Sequence, residues 1–197
     1  MTLRLTKKHN FDAVFDTQKV FRLVLEAVSN PTRAVNIKEY ADKLYGDHPA
    51  FLAVAMTLLD NEVSFNTCEN RPLSDEIASL TLAKREKIEE ADYIFVCDTN
   101  DIKNAIGNAK RGTLSDPHKS ATVIIKNYGA PDGGLTFSGP GIKENITVQA
   151  TRTVKDAIAL RDAQNYEYPE GIDLIFISEK GGLFAVPRLV KAAELHS

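Results

Sequence analysis

Residues 168–188 read YPEGIDLIFISEKGGLFAVPR, two apolar stretches around a Gly-Gly corner that close on a proline and an arginine. Apolar runs of this length, bounded by turn residues, predict a buried pair of strands. That hairpin commits the chain to a sheet. Ile172, Leu174, Phe176, Leu183 and Ala185 point to one face or the other, because successive side chains of a strand alternate. Asp173 stands among them. A buried carboxylate needs donors, and Arg188 is one candidate; the alternative is a solvated Asp on an open sheet face.

Helical and strand patterns alternate along the remaining sequence. In DTQKVFRLVLEAVSNP, residues Val20, Leu23, Val24, Ala27 and Val28 recur at steps of three and four, with Asp16 or Thr17 as a cap and Pro31 as the stop. DHPAFLAVAMTLLDN is apolar almost all round, which places this helix inside the fold, with Pro49 suited to its first turn. EVSFN is a weak strand. LSDEIASLTLAK is a helix expected to be capped by Ser74, DYIFVCD a short buried strand, and TNDIKNAIGNAKRG a short helix stopping near Gly107 or Gly112. SATVIIKNYG is a β-branched strand, and GGLTFSGPGIKENITVQA gives two strand-like runs separated by Gly139-Pro140-Gly141. VKDAIALRDAQNY is an amphipathic helix that leads into the hairpin. No linker, repeat or low-complexity run divides residues 1–197. The expected architecture is a single α/β domain, a mixed β-sheet flanked by helices.

A chain of 197 residues with 43% hydrophobic content has the material for a substantial core. Its net charge of -3 gives no general attraction to nucleic acid or to anionic lipid, so neither is an expected partner. Cys68 and Cys97 are far apart and form no CxxC pair, which suits reduced thiols in a cytosol. The N-terminal stretch MTLRLTKKHNFDAVFD has no apolar core of a secretory leader, and nothing downstream reaches membrane-spanning length. The expected location is the cytoplasm.

Catalytic motifs are missing. His9, His48, His118 and His196 are isolated from one another, whereas a metal site needs convergent spacing. There is no GxSxG elbow, and Cys97 within YIFVCD reads as a small buried hydrophobe. SGPGIKEN is glycine-rich but lacks the Lys-then-hydroxyl end of a phosphate loop, so a tight turn is the better reading. RGTLSDPHKSAT has two readings. Its backbone N–H groups and hydroxyls could cradle an oxyanion with Arg111 or Lys119, or it is a surface loop held by Asx and Ser/Thr turns.

The ordered segments FRLVLEAVSNP, LLDNEVSF, GTLSDPHKSATVII, LTFSGPGI and YPEGIDLIFI with LFAVPR resemble the PhnH family, the H subunits of the bacterial carbon–phosphorus (C-P) lyase core complex. The resemblance runs nearly end to end. Its motifs fall on Gly112-Thr113, Pro117 and Ala121-Thr122, on Ser138-Gly139-Pro140-Gly141-Ile142, and on Pro169, Gly171-Ile172-Asp173 and Val186-Pro187-Arg188. LRLTKKHNFD and LAKREKIEEADY match no motif of the family.

The resemblance implies a fold similar to the large domain of PLP-dependent transferases, but with no PLP and no other cofactor. It also implies a role in phosphonate use. There the G, H, I and L subunits together replace the adenine of ATP with an alkylphosphonate, giving ribose 1-phosphonate 5-triphosphate, and a separate J subunit later breaks the C–P bond. The implied partners are the G, I and J subunits of the core complex, with L functionally, and a homodimer or pseudo-dimer. No catalytic residue is expected on this chain. Candidate anion- or interface-contacting residues are Gly112, Thr113, Ser138, Gly139, Gly141, Asp173 and Arg188. Pro187 cannot donate to a further ladder, so Pro187-Arg188 is expected to end the sheet where its edge meets a neighbour or an anion. The alternative is a stand-alone nucleotide- or phosphate-binding α/β enzyme built on residues 112–122 and Arg188.

Overall fold

The computed structural model describes residues 9–194; the first eight residues, with most of the basic N-terminal stretch, and His196 lie outside the described residues. In chain order the elements are α1 (Phe15–Ser29), β1 (Val35–Asn36), α2 (Lys38–Ala41), α3 (Pro49–Leu58), β2 (Ser64–Asn66), α4 (Arg71–Thr81), β3 (Lys84–Arg85) and β4 (Tyr93–Val96). Then follow α5 (Ile102–Asn108), β5 (Thr122–Asn127), β6 (Pro131–Ser138), β7 (Ile146–Thr151), α6 (Arg152–Asp162), β8 (Asp173–Ser178), β9 (Gly182–Val186) and β10 (Lys191–Glu194).

The uninterrupted apolar runs have a simple cause: the central strands are covered on both faces. One core cluster takes Phe95 of β4, Ile124 of β5, and Ile175 and Ile177 of β8, packed under α1, α3 and α4. The residues between them, Ile94 and Val96, Val123 and Ile125, Leu174 and Phe176, belong to a second cluster under α5, α6 and the strands β6 and β7. Strict alternation therefore assigns neighbouring apolar residues to opposite cores.

These strands lie in a seven-stranded mixed sheet of order β1-β9-β8-β5-β4-β2-β3. From β3 to β8 all neighbours are parallel, while β9 runs antiparallel to both β8 and β1. A second, antiparallel sheet has the order β10-β6-β7. In the β8–β9 hairpin Leu174 faces Val186 and Ile177 faces Leu183, and the rings of Phe176 and Phe184 stack 5.0 Å apart. Among the described residues no helix is long and apolar enough to cross a membrane.

Three local expectations change. The α4 helix starts before Ser74, because Pro72 fits its first turn and the side chain of Asn70 accepts from the Leu73 N–H at 3.1 Å; Ser74 Oγ instead accepts from Arg85 Nε at 2.9 Å. At α1 the capping carboxylate is Asp12, which accepts from the N–H groups of Val14 and Phe15. Asp16 is buried one turn on and holds Lys43 Nζ at 2.7 Å. Finally, β9 is not the outer strand. β1 flanks its first half and Thr32 N–H donates to the Ala185 carbonyl, so Pro187 ends a strand that is already covered.

Candidate functional site

Asp173 opens β8 and Arg188 stands two residues beyond the end of β9, and antiparallel pairing returns the second to the first. Asp173 Oδ1 accepts from the Arg188 backbone N–H at 2.8 Å and from Nε at 3.3 Å, while Nη2 donates to Oδ2. The remaining guanidinium nitrogen, Nη1, donates to the Pro117 carbonyl. A forked, charge-assisted pair of this kind is stronger and more directional than a neutral hydrogen bond. Its approach depends on Gly171, whose φ is +142° and where a Cβ would stand 3.0 Å from the Cβ of Arg188.

Pro117 belongs to the loop that carries Gly112 and Thr113. Thr113 N–H donates to the Asp116 carbonyl at 3.3 Å, and Asp116 N–H donates to Thr113 Oγ1 at 2.9 Å. The hydroxyl and backbone groups thus close a turn on themselves. Next to it Arg111 Nε lies 3.2 Å from Glu170 Oε2, and the Arg111 carbonyl accepts from Gly171 N–H. At the start of β4, Asp92 accepts from Lys110 Nζ at 2.6 Å and from Ser64 Oγ at 2.7 Å. Burial works to raise the Asp92 carboxyl, but the bonds from Lys110 and Ser64 outweigh it and hold it below the usual carboxylate range. The amino ends of the parallel strands are a row of closed charge pairs.

Gly112, Thr113, Asp173 and Arg188 therefore come together. Ser138, Gly139 and Gly141 form a separate corner between the small sheet and the end of α1. A Cβ on Gly139, whose φ is +132°, would stand 2.8 Å from the Leu189 carbonyl oxygen, and Gly141 lies against Ser29 and Pro31. Ser138 is exposed and pairs with Lys191 across β6 and β10.

Between the two groups lies a residue that the sequence pattern hides. Arg161 of α6 is 1% exposed. Its Nη1 donates to the carbonyls of Val186 at 3.0 Å and Pro187 at 3.2 Å, Nη2 to Val190 at 2.7 Å, and Nε to Asp162 at 2.9 Å. The turn at residues 186–190 is thus held by Arg161 on one side and by the Asp173–Arg188 pair on the other. In VKDAIALRDAQNY this arginine reads as the polar margin of an amphipathic helix; only its burial in the folded chain marks it.

The two thiols sit beyond the carboxyl ends of β2 and β4. Burial pushes Cys68 up to about 12 and Cys97 up to about 11, so both are protonated near neutrality and weak as nucleophiles. Among the described residues no three His, Cys, Asp or Glu side chains stand together as metal ligands would.

A mixed α/β sheet with a row of charge pairs at its amino end defines a fold class. The sequence comparisons are more specific. The family described as "Bacterial phosphonate metabolism protein (PhnH)" matches residues 9–193, and the chain belongs to that family. It is also similar to the protein of Stutzerimonas stutzeri named "Putative C-P lyase subunit protein HtxG", with 27% identity over 162 residues, covering 82% of this chain and 78% of the relative.

Proposed function

We propose that this chain is a subunit of a C-P lyase system for alkylphosphonate use, with an assembly role in the step that joins a phosphonate to ATP and releases adenine. The G, I and J subunits are its expected neighbours, with L acting in the same step. On this reading the whole of residues 1–197 acts as one domain in the cytoplasm, alone as a homodimer or paired with a related subunit. The likeness to the large domain of PLP-dependent transferases belongs to the same proposal, supported by the long parallel run of the sheet and the helices on both its faces.

The observation on the molecule that carries the subunit reading is the outer face of α1. Phe21, Leu25 and Val28 are spaced by four and three residues and are 48%, 52% and 40% exposed. An apolar stripe of this kind on a helix marks a surface that another chain covers. The alternative, a stand-alone phosphate-binding enzyme using residues 112–122, is weakened by the commitment of Arg188 to Asp173 and Pro117.

Co-purification of the tagged chain from cells expressing the neighbouring phosphonate genes tests the proposal. A complex containing the G, I and J subunits is expected, and Leu25→Asp should release them while the chain stays folded. Elution of the wild-type chain alone would refute the reading.

A further inference from the structure

Ligands of open α/β sheets bind beyond the carboxyl ends of the strands, near the point where the strand order reverses. Here the order reverses between β2 and β4: the chain leaves β2 through α4 toward β3, and leaves β4 through α5 toward β5 on the other side. Asn70, which starts α4 at that crevice, places its Nδ2 3.4 Å from Nε2 of His48. His48 also lines a cavity of about 180 Å³ that lies to one side of this crevice, at the carboxyl ends of β5 and β8, with Phe51, Lys126, Ile177, Ser178 and Glu179.

The charges in this cavity are sorted by depth. Lys126 is its inner cation, with a side chain only 19% exposed, its ammonium 3.3 Å from Glu179 and 4.8 Å above the ring of Tyr128. An ammonium has three donors, and these contacts leave capacity for a further acceptor. Burial alone would lower Lys126, but Tyr128 and Glu179 outweigh it and keep the charge in place. Burial and the nearby Lys126 charge lower His48, which leaves a neutral ring at neutral pH. With the Asn70 amide donating to Nε2, the remaining ring nitrogen carries the proton and is a donor. The carboxylates are outside: Asp42, Asp47 and Glu179 are exposed around the mouth, with Asp42 paired to Lys38.

We propose that this cavity binds a small zwitterion, its oxyanion head held by Lys126 and His48 and its ammonium placed at the mouth beside Asp47 and Glu179. Phe51 and Ile177 pack against the short carbon spacer. The volume is below the roughly 300–1,000 Å³ of sites for larger organic ligands. The acidic mouth repels polyanions, so a nucleotide triphosphate is excluded on both size and charge. The inference does not rest on membership of a complex, since it concerns this chain by itself.

The test is a calorimetric titration of the full chain, with the His48 ring followed by NMR, using β-alanine, 2-aminoethylphosphonate, propionate and inorganic phosphate as probes. At millimolar concentration at least one of the two zwitterions should bind and shift the His48 resonances, and the preferred one identifies the head group. Propionate and phosphate should bind at least about tenfold more weakly. Lys126→Met should weaken the zwitterion by a similar factor. Asp47→Asn, on an exposed residue whose loss leaves the core intact, should bring the affinity for the zwitterion toward that of the ammonium-free acids. No response of His48 to either zwitterion, equal binding of ammonium-free acids, or unchanged affinity in both variants would overturn the proposal.

Discussion

The two ends of the large sheet use charge in opposite ways. At the amino ends Asp92 meets Lys110 and Asp173 meets Arg188, with every one of these side chains 34% exposed or less, and Glu170 meets the more exposed Arg111. At the carboxyl ends Lys126 sits inside while its counter-charge Glu179 is 68% exposed. A closed pair holds structure, because both charges lose solvent and gain each other. A half-buried cation whose counter-charge stays in solvent keeps capacity for something else. On the proposal above, stability and binding lie at opposite ends of the sheet, and substitutions test that separation.

The largest stability loss is expected for Arg161→Met, which leaves the carbonyls of Val186, Pro187 and Val190 without their donor. Urea unfolding should show a loss of about 3 kcal/mol, and a loss near zero would mean that the 186–190 turn is held by other means. Gly139→Ala comes next, at about 2 kcal/mol, because a left-handed φ and a carbonyl at 2.8 Å oppose the new Cβ together. Asp173→Asn and Arg188→Met should each cost about 1 kcal/mol, discounted for partial exposure, and the double variant should cost less than their sum. Additive losses would show that the two residues act separately.

At the other end Lys126→Met should change stability by less than about 0.5 kcal/mol, since its partner is a solvated carboxylate. A loss equal to that of Arg161→Met would abolish the contrast between the ends. The smallest effects are in pH dependence, and they fall in different windows. His48 is held below the ordinary histidine value, so in the window just below about pH 6.5 the unfolded chain takes up a proton that the native one refuses. Stability present above that window declines as pH falls through it, and His48→Gln should flatten the slope there. Asp92 is also depressed, so its contribution is present above the ordinary carboxylate range near about pH 4 and is lost only as pH falls through the lowered value. Lys110→Met should flatten the slope in this lower window and leave the slope near about pH 6.5 unchanged.

Much of the fold was legible in the sequence. DYIFVCD, SATVIIKNYG and the final hairpin are strands because they are apolar and β-branched without interruption, and α3 is central because it has no polar face. The residues that were missed lacked such patterns. Lys84–Arg85 and Lys191–Glu194 are edge strands with exposed charged side chains, and their pairing comes from backbone groups that any sequence possesses. Val28 keeps the helical spacing of the buried face of α1, yet it is exposed, because burial depends on where neighbouring elements stop.

Among the candidate site residues, the Asp173–Arg188 pair is one of the two readings the sequence offers, because one strand start and one strand end of a hairpin meet, and the structure selects it over a solvated Asp173. Gly112 and Thr113 joined them only through Pro117, over 71 residues of sequence separation from Arg188. Arg161 and Lys126 showed no signal, since a long cation at a helix margin or a strand end is ordinarily a solvated one.

The sequence by itself determined the alternation of helices and buried strands, the hairpin, and the membership of the PhnH family. These depend on local periodicity and on ordered motifs, both of which are written along the chain. The tertiary structure decided which core each apolar residue enters, which charges are spent on each other and which cation is left facing a cavity. Those outcomes depend on distances between residues far apart in sequence, and the free energy of a charge is set by what surrounds it in space.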